Sequence, residues 1–241
     1  MNKKKSRKIC SLLVGGSLCL IGCGTASSDK ATSEKTKELE GKKLCFLGSS
    51  VTYGAASGGW SMCEYLSEEY GCIVNKWAES GTTLVKEKEF DQSYVSRLDF
   101  SKIILKEVDH FICQLSTNDA THKKPIGKIS DAKDIASFDT TTIIGAIEYI
   151  VATVQQEWGC HISFYTNSYF ESEHYKSMVE SLYQVQEKWG IGILDLYNDT
   201  EFNDITEKLY QKYMSDPIHP TKDGYKKWYG PKFVEHLLKY N

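Results

Sequence analysis

The sequence lacks the paired cysteines of a typical metal site. None of its eight cysteines belongs to a C-x-x-C pair, and none has a histidine at ligand spacing. The five that follow the N-terminal region are Cys45, Cys63, Cys72, Cys113 and Cys160. The favoured interpretation is that they are free cysteines that pack as small hydrophobic residues, so no metal site is predicted. One disulfide between Cys63 and Cys72 is the alternative for a protein outside the cytoplasm.

The sequence also lacks a long hydrophobic run. Its most apolar stretch, residues 9–21, is too short and too interrupted by glycine for a membrane span, and it follows a basic segment, residues 3–8. It ends in Leu20-Ile21-Gly22-Cys23, which resembles a bacterial lipobox. We therefore predict a lipoprotein signal peptide over residues 1–22 and an extracytoplasmic, membrane-anchored protein with lipid attached at Cys23. An ordinary secretory signal is the alternative.

An excess of positive charge is absent too. The formal net charge is −3, and it becomes −8 without residues 1–22, because that segment has five basic and no acidic residues. An acidic surface argues against nucleic acid or polyphosphate as the partner. Residues 23–42, rich in Ser, Thr, Lys and Glu, predict a flexible tether. Residues 43–241 then remain for one well-buried domain.

Short apolar runs alternate with longer segments of helical period along this domain. The predicted strands are Lys43 to Leu47, Cys72 to Trp77, His110 to Leu115, His161 to Tyr165 and Ile191 to Leu196. This alternation predicts a three-layer α/β/α sandwich around a five-stranded parallel sheet. In such open sheets, ligands bind beyond the carboxyl ends of the strands.

Two crossover segments, residues 143–158 and 178–189, carry apolar residues at the spacing of one helix face. The last segment, residues 221–239, has the same character. Gly230-Pro231 interrupts it, so we predict a kink or a restart of the helix there.

Ser50 follows Gly48 at the end of the first predicted strand. A serine in this place presents its Oγ and its backbone N–H at the carboxyl edge of the sheet. The segment matches neither the phosphate-binding loop, nor the dinucleotide fingerprint, nor the G-x-S-x-G elbow. Ser50 is therefore a candidate nucleophile, and a structural turn is the alternative.

Serine is a weak nucleophile until a base removes its proton, so the setting of the six histidines matters. Only His219 has an acidic partner in a loop suited to function, namely Asp216-Pro217-Ile218-His219 followed by Pro220. The rigid flanks predict that Asp216 lies against Nδ1 of His219, which leaves Nε2 to face a serine. The alternative is a proline-rich turn that caps the last helix.

These segments together resemble the four conserved blocks of the SGNH (GDSL-like) hydrolase family. The matching residues are Gly48 to Gly54, Gly81, Asn118 with Asp119, and Asp216 with His219. The resemblance implies the flavodoxin-like fold of that family, with Ser50 as nucleophile, His219 and Asp216 completing a triad, and Ser50, Gly81 and Asn118 forming the oxyanion hole. Two positions depart from the pattern: Ser49 stands in place of the aspartate of the signature, and Ser116 in place of a glycine.

The resemblance implies a serine esterase or acylhydrolase that forms an acyl-enzyme, and family members usually need no metal or other cofactor. The expected partner is an ester substrate with a short acyl group, such as an acetylated polysaccharide. An acyltransferase acting on a glycan, or a non-catalytic binding lipoprotein, is the alternative. Tyr53 and Trp60 are candidate substrate-binding residues, and the stretch from Thr121 to Ser137 is either a substrate-facing loop or a solvated insertion.

Overall fold

One parallel sheet organises the protein. The computed structural model describes residues 37–240, and its strands are β1 Lys43–Gly48, β2 Ile73–Ala78, β3 His110–Gln114, β4 His161–Tyr165 and β5 Gly192–Leu194. The strand order is β2-β1-β3-β4-β5. This is the order of a flavodoxin-like doubly wound sheet.

The register brings the carboxyl ends of neighbouring strands level with one another. Gly48 at the end of β1 pairs with Ala78 at the end of β2, and Gln114 at the end of β3 pairs with Tyr165 at the end of β4. The loops that follow these strands therefore leave the sheet side by side. Residues far apart in the sequence can meet at this edge.

Helices cover both faces of the sheet. In chain order they are α1 Ser50–Tyr53, α2 Met62–Tyr70, α3 Tyr94–Ile104, α4 Thr117–Thr121, α5 Ile143–Glu157, α6 Glu173–Trp189, α7 Thr200–Asn203, α8 Glu207–Tyr213, α9 Lys222–Gly224 and α10 Gly230–Leu237. Short 3₁₀ turns lie at Ala55–Ser57, Ile135–Ser137 and Leu238–Tyr240, and a π-helical turn lies at Tyr225–Tyr229.

Two hydrophobic clusters fill the space between the layers. One packs α3, α5 and α6 against one face of the sheet, and the other packs α2, the π turn and α10 against the opposite face. Alternate residues of β1 divide between them: Cys45 and Leu47 face the first cluster, and Leu44 and Phe46 the second. Each fully buried aliphatic or aromatic side chain contributes about 1.5–3 kcal/mol. The predicted three-layer α/β/α sandwich is confirmed.

Side-chain caps fix where the large helices begin. Ser93 caps α3, Thr142 caps α5 and Ser172 caps α6, each by accepting a hydrogen bond from a backbone N–H of the first turn. Such a bond satisfies a donor that the helix itself cannot pair and contributes about 1 kcal/mol. The crossovers are therefore specified locally as well as by their apolar faces.

The last helical segment is not one straight helix. The Gly230 N–H bonds to the carbonyl of Tyr225, five residues earlier, which closes the π turn directly before Pro231. Pro231 lies at the start of α10, where its missing N–H costs least. At the predicted interruption the backbone stays right-handed helical at Tyr229 and Gly230, and the π-helical turn passes directly into α10.

The packed domain begins earlier than residue 43. The side chain of Leu39 is 1% exposed within the second cluster, and the Gly41 N–H donates to the carbonyl of Gly71 at 2.9 Å. The last residues of the predicted tether therefore belong to the domain, because an apolar side chain in this segment has a core to enter. The predicted signal peptide, Cys23 and the tether up to residue 36 lie outside the described residues. Among residues 37–240, no helix is both long and apolar enough to cross a membrane.

The five cysteines of the domain are free. Burial raises the pKa of the Cys63 thiol to about 12 and that of Cys72 to about 11. Both thiols are therefore protonated at neutral pH and behave as small hydrophobic groups. The interpretation as buried free cysteines is confirmed for all but Cys160, which is free but partly exposed, and the alternative disulfide between Cys63 and Cys72 is not formed.

Candidate active site

Ser50, His219 and Asp216 form a continuous chain of hydrogen bonds at the carboxyl edge of the sheet. Nε2 of His219 lies 2.8 Å from Oγ of Ser50, although 169 positions separate the two residues in the sequence. Nδ1 of the same ring lies 2.8 Å from Oδ2 and 3.0 Å from Oδ1 of Asp216. These distances are those of strong hydrogen bonds.

The carboxylate determines where the imidazole proton lies. An ionised aspartate only accepts hydrogen bonds, so Nδ1 of His219 must carry the proton that it shares with Asp216. In the neutral ring, Nε2 is then an acceptor, and the Ser50 hydroxyl donates to it. This proton arrangement is the one that a general base needs in order to activate a serine.

The loop that carries the acid and the base is held by its own backbone. Oδ1 of Asp216 accepts the N–H groups of Ile218 at 2.8 Å and His219 at 2.9 Å. The Ser215 N–H closes the loop by donating to the His219 carbonyl at 2.9 Å. Partial burial raises the pKa of Asp216, but the hydrogen bonds from Ile218 and His219 outweigh that effect and hold the pKa below its ordinary value. Asp216 is therefore ionised at neutral pH.

Ser50 lies at the base of this arrangement and the two partners lie closer to solvent. The serine is 7% exposed, whereas the side chains of His219 and Asp216 are 28% and 48% exposed. Ser50 is the first residue of α1, directly after the strand β1 and the residue Ser49. A reactant can thus approach the serine from the same side as the imidazole.

Two further residues that the resemblance implies, Gly81 and Asn118, lie in the loop after β2 and in the short helix α4. Nδ2 of Asn118 donates one hydrogen to the carbonyl of Thr82 at 2.8 Å, which leaves the second hydrogen of the amide for another acceptor. Gly81 has a φ of +80°, a left-handed conformation that favours glycine. The bond to Thr82 fixes the Asn118 amide next to the Gly81 backbone.

A buried carboxylate of α4 holds this helix to the loop after β2. Asp119 accepts the N–H of Leu84 at 2.7 Å and that of Val85 at 3.3 Å. Burial raises the pKa of Asp119, and the hydrogen bonds from Ser116, Leu84 and Val85 oppose that rise. Ser116, one of the two departures from the family pattern, also caps α4 by accepting the Asp119 N–H at 3.2 Å. A serine at this position therefore has a structural use.

Arg97 joins three backbone segments beneath the site, and the sequence reasoning missed it. Its guanidinium donates to the carbonyl of Gly48 at 2.8 Å, to the carbonyl of Trp77 at 2.6 Å and to Oγ1 of Thr82 at 2.9 Å. The planar group thereby fixes the ends of β1 and β2 and the loop that contains Gly81. A single arginine in an amphipathic helix gives no local sequence signal of such a role.

The two candidate substrate-binding residues differ in their surroundings. Trp60 is 8% exposed, its Nε1–H donates to Glu68 at 3.0 Å, and the Lys222 ammonium lies 4.7 Å from the centre of its ring. Trp60 therefore packs within the domain, and its role toward substrate stays a prediction. Tyr53 is 43% exposed and stays a candidate.

The stretch from Thr121 to Ser137 has no buried residue but is held to the helices by several hydrogen bonds. The Ser130 N–H donates to the fully buried Glu148 at 2.9 Å, and Nζ of Lys188 donates to the Ser130 carbonyl at 2.6 Å. The Pro125 carbonyl accepts the Ile143 N–H at 2.9 Å. These contacts describe an anchored loop, and its role toward substrate stays a prediction.

A polar cleft of about 260 Å³ begins at Gly81. Its lining comprises Gly81, Thr82, Thr83, Glu87, Lys88, Asp91, Gln92 and Ser93. The cleft thus starts at one of the residues implied in the oxyanion hole. Within residues 37–240, no group of three histidine, cysteine, aspartate or glutamate side chains is placed to hold a metal ion.

Comparison with known proteins agrees with this arrangement. The profile of the GDSL-like Lipase/Acylhydrolase family matches residues 46–227. Comparison with curated protein sequences gives no significant match.

Three solved structures share the fold. A protein from Lactobacillus plantarum has 18% identity and a TM-score of 0.65, over 83% of this chain and 96% of its own. A proposed GDSL-like lipase from Bacteroides uniformis has 20% identity and a TM-score of 0.59, over 83% and 96%. A carbohydrate acetylesterase family member from Sinorhizobium meliloti has 14% identity and a TM-score of 0.59, over 83% and 98%. At these identities the likeness concerns the fold alone.

Proposed function

The chain belongs to the GDSL-like lipase/acylhydrolase family and is a serine hydrolase of the esterase type, and we propose that Ser50, His219 and Asp216 are its catalytic triad. The observation that carries this proposal is the chain of 2.8 Å contacts from Ser50 Oγ through the His219 ring to Asp216. Nucleophile, base and orienting acid then occupy the places that acyl transfer requires.

The proposed reaction begins with transfer of the Ser50 hydroxyl proton to Nε2 of His219 as Oγ attacks the ester carbonyl carbon. Asp216 stabilises the imidazolium that forms, because its carboxylate accepts the Nδ1–H. Collapse of the tetrahedral intermediate breaks the bond to the alcohol oxygen, which takes the proton from Nε2. Water then attacks the acyl-enzyme with the same base, releases the acid and restores Ser50.

Three donors are proposed for the negative oxygen of the tetrahedral intermediate: the backbone N–H groups of Ser50 and Gly81, and the Asn118 side chain. The bond from Asn118 to Thr82 supports this role, since it holds the amide in place before the reaction begins. Donors fixed in advance stabilise developing charge without the cost of reorientation.

We propose a short-chain or O-acetyl ester, such as an acetylated polysaccharide, as the substrate. The fold shared with a carbohydrate acetylesterase family member supports a glycan ester, and the polar cleft that starts at Gly81 could receive hydroxyl groups next to the reacting carbonyl. Tyr53 is an exposed aromatic residue three positions after Ser50 that could contact such a substrate.

A location outside the cytoplasm, with a lipid anchor at Cys23, is also proposed. The basic segment, the apolar run and the Leu20-Ile21-Gly22-Cys23 motif support it. The chain enters β1 at the amino edge of the sheet, whereas Ser50 lies at the carboxyl edge. An anchor that precedes β1 would leave the site unobstructed.

Labelling with a fluorophosphonate tests the proposal together with hydrolysis of p-nitrophenyl acetate. The native protein should react at Ser50 and hydrolyse the ester, and Ser50→Ala should do neither, with a rate near background. Full activity in Ser50→Ala would refute the assignment, and a native protein that is neither labelled nor active would support a non-catalytic binding protein. Transfer of acetyl groups to a glycan acceptor in place of water would identify an acyltransferase.

A further inference from the structure

A single side chain of the neighbouring strand holds the turn that carries Ser50. Gln114 is the last residue of β3 and is fully buried. Its Oε1 accepts the Ser49 N–H at 2.9 Å, the Thr52 hydroxyl at 2.8 Å and the Thr52 N–H at 3.3 Å. The three donors lie on both sides of Ser50 in the sequence, so one oxygen restrains the turn before and after the nucleophile.

Oε1 of Gln114 acts as the N-cap acceptor of α1. The first N–H groups of a helix have no partner within the helix, and a side chain at the N-cap position usually supplies one. Ser49 is the N-cap residue of α1 but makes no capping bond with its side chain. Gln114 reaches across from β3 and supplies the acceptor to Thr52 instead.

The side chains around Oε1 of Gln114 are closely packed. A Cβ atom on Gly48 would lie 1.7 Å from Oγ1 of Thr52 and 2.9 Å from Oε1 of Gln114, so only glycine allows their approach. Oγ1 of Thr52 also lies 2.6 Å from the hydroxyl of Tyr165. Because the Thr52 hydroxyl donates to Gln114, the Tyr165 O–H must donate to Thr52. Hydrogen bonds thus connect the turn after β1 to the ends of β3 and β4.

Only the oxygen of the Gln114 amide is used. Its Nε2 is buried and has no hydrogen-bond partner among the residues that the structure describes. An unpaired buried donor is destabilising, and buried polar groups are seldom left so. The contacts of Gln114 with the turn therefore all use its acceptor oxygen.

We propose that Gln114 is a positioning residue for the nucleophile: it fixes the Ser49 to Thr52 turn so that Oγ of Ser50 stays within reach of His219. The proposal rests on the proposed role of Ser50. It also gives a physical reason for Ser49, the departure from the family signature. Oγ of Ser49 lies 3.4 Å from Oε1 of Gln114, where a carboxylate would repel that oxygen.

Two substitutions that nearly preserve the shape of the Gln114 side chain separate the effect of its acceptor oxygen from the effect of its packing. Gln114→Met removes the acceptor, and Gln114→Glu keeps an oxygen there in either protonation state. The kcat and KM for p-nitrophenyl acetate and the rate of fluorophosphonate labelling would be measured. We expect Gln114→Met to lower kcat and the labelling rate about a hundredfold, as a misplacement of about 1 Å can do, with KM within about threefold. Gln114→Glu should be at least about tenfold faster than Gln114→Met.

Ser163→Ala is the matched control, because Ser163 is fully buried and hydrogen-bonded in β4 but lies away from the turn. It should lower the thermal unfolding temperature and leave kcat within about twofold. If Gln114→Met does not fold, Thr52→Val serves instead, with a loss in kcat of about fivefold, as for one hydrogen bond.

The outcomes separate this proposal from the assignment of Ser50. A folded Gln114→Met with native kcat, or equal losses in Gln114→Met and Gln114→Glu, would overturn the positioning role. If Thr52→Val is used in place of Gln114→Met, a native kcat in that variant would likewise overturn the positioning role. Ser50→Ala is measured in parallel, and its full activity would instead overturn the proposed function.

Discussion

Serine contacts histidine at two places in the molecule, each time at a distance of 2.8 Å. At the carboxyl edge of the sheet, Ser50 Oγ is 2.8 Å from Nε2 of His219. Inside the fold, Ser163 Oγ is 2.8 Å from Nε2 of both His110 and His236. The distance alone does not distinguish the candidate active site from an element of the core.

The surroundings of the two contacts differ in the partner of the imidazole and in access to solvent. His219 shares its second nitrogen with the carboxylate of Asp216 and is partly exposed. His110 and His236 are 5% and 4% exposed and lie against the ring of Tyr240. Ser163 thus lies between two buried imidazoles, and within the described residues neither of them has a carboxylate partner like Asp216. The carboxylate and the access to solvent, rather than the serine–histidine distance, are what distinguish Ser50 as the proposed nucleophile.

Removal of the carboxylate should produce the largest change at the carboxyl edge. In Asp216→Asn, Oδ1 can still accept the N–H groups of Ile218 and His219, so the loop keeps its shape. Nδ2 of the asparagine would face Nδ1 of His219 and force the proton onto Nε2, the wrong nitrogen for a base. We expect kcat for p-nitrophenyl acetate to fall about 10⁴-fold. Unchanged circular dichroism with a loss of less than about tenfold would show that the carboxylate is not needed.

Loss of an oxyanion donor should have a smaller effect. Asn118→Ala removes the amide next to Gly81, and we expect kcat to fall about a hundredfold or more, or on the order of 3 kcal/mol, with KM little changed. Steady-state kinetics with p-nitrophenyl acetate measures both constants. The same substitution removes the bond to Thr82, so the unfolding temperature is measured as well. A rise in KM at constant kcat would indicate a role in substrate binding instead.

The strands and the contact of Asp216 with His219 could be predicted because local patterns specify them. The apolar run from Lys43 to Leu47 gives a strand that ends at Gly48, one residue later than predicted. An aspartate three residues before a histidine, between prolines, forms its contact within one loop. Both features depend on neighbours in the sequence, and the order of parallel strands then brings their edges together.

The supports of the site depend on contacts between distant segments, and these were not predictable. Gln114 stands 65 positions from Ser49, and Arg97 stands 49 positions from Gly48. In the sequence, the first is one polar residue in a buried strand and the second one cation on a helix. The register of β1 against β3 decides what Gln114 meets, and the packing of α3 against the ends of β1 and β2 decides what Arg97 meets. For the same reason, the sequence around Ser50 did not show that Trp60 would be buried and would donate a hydrogen bond to Glu68.

Substitution of a buried histidine should have the smallest effect on catalysis. Its clear effect should be on how the stability of the fold depends on pH. Burial lowers the pKa of His110 to about 3, with further lowering by the charges of His236 and His161. Burial also lowers the pKa of His236 to about 4, and the charge of Lys239 adds to that effect. The ordinary value is 6.5, so between pH 6.5 and about 4 the unfolded chain binds more protons than the folded one. The stability from these two groups is complete above pH 6.5 and is lost as the pH falls below it.

Urea unfolding at pH 7.5, 6 and 5 measures this dependence. Each tenfold difference in proton affinity between the folded and the unfolded chain corresponds to about 1.4 kcal/mol, so the pair should destabilise the fold by an amount on the order of several kcal/mol across the window. His236→Gln removes one titrating group and keeps a polar side chain near Ser163, so its free energy of unfolding should vary less steeply with pH while kcat at pH 7.5 stays within about twofold. Ser50→Ala is the second control, because it removes the contact with His219 but no titrating group. It should be inactive, and its free energy of unfolding should depend on pH as in the native protein. An equally steep pH dependence in His236→Gln would mean that the buried pair does not govern acid stability, and the contrast between the two contacts would then concern catalysis alone.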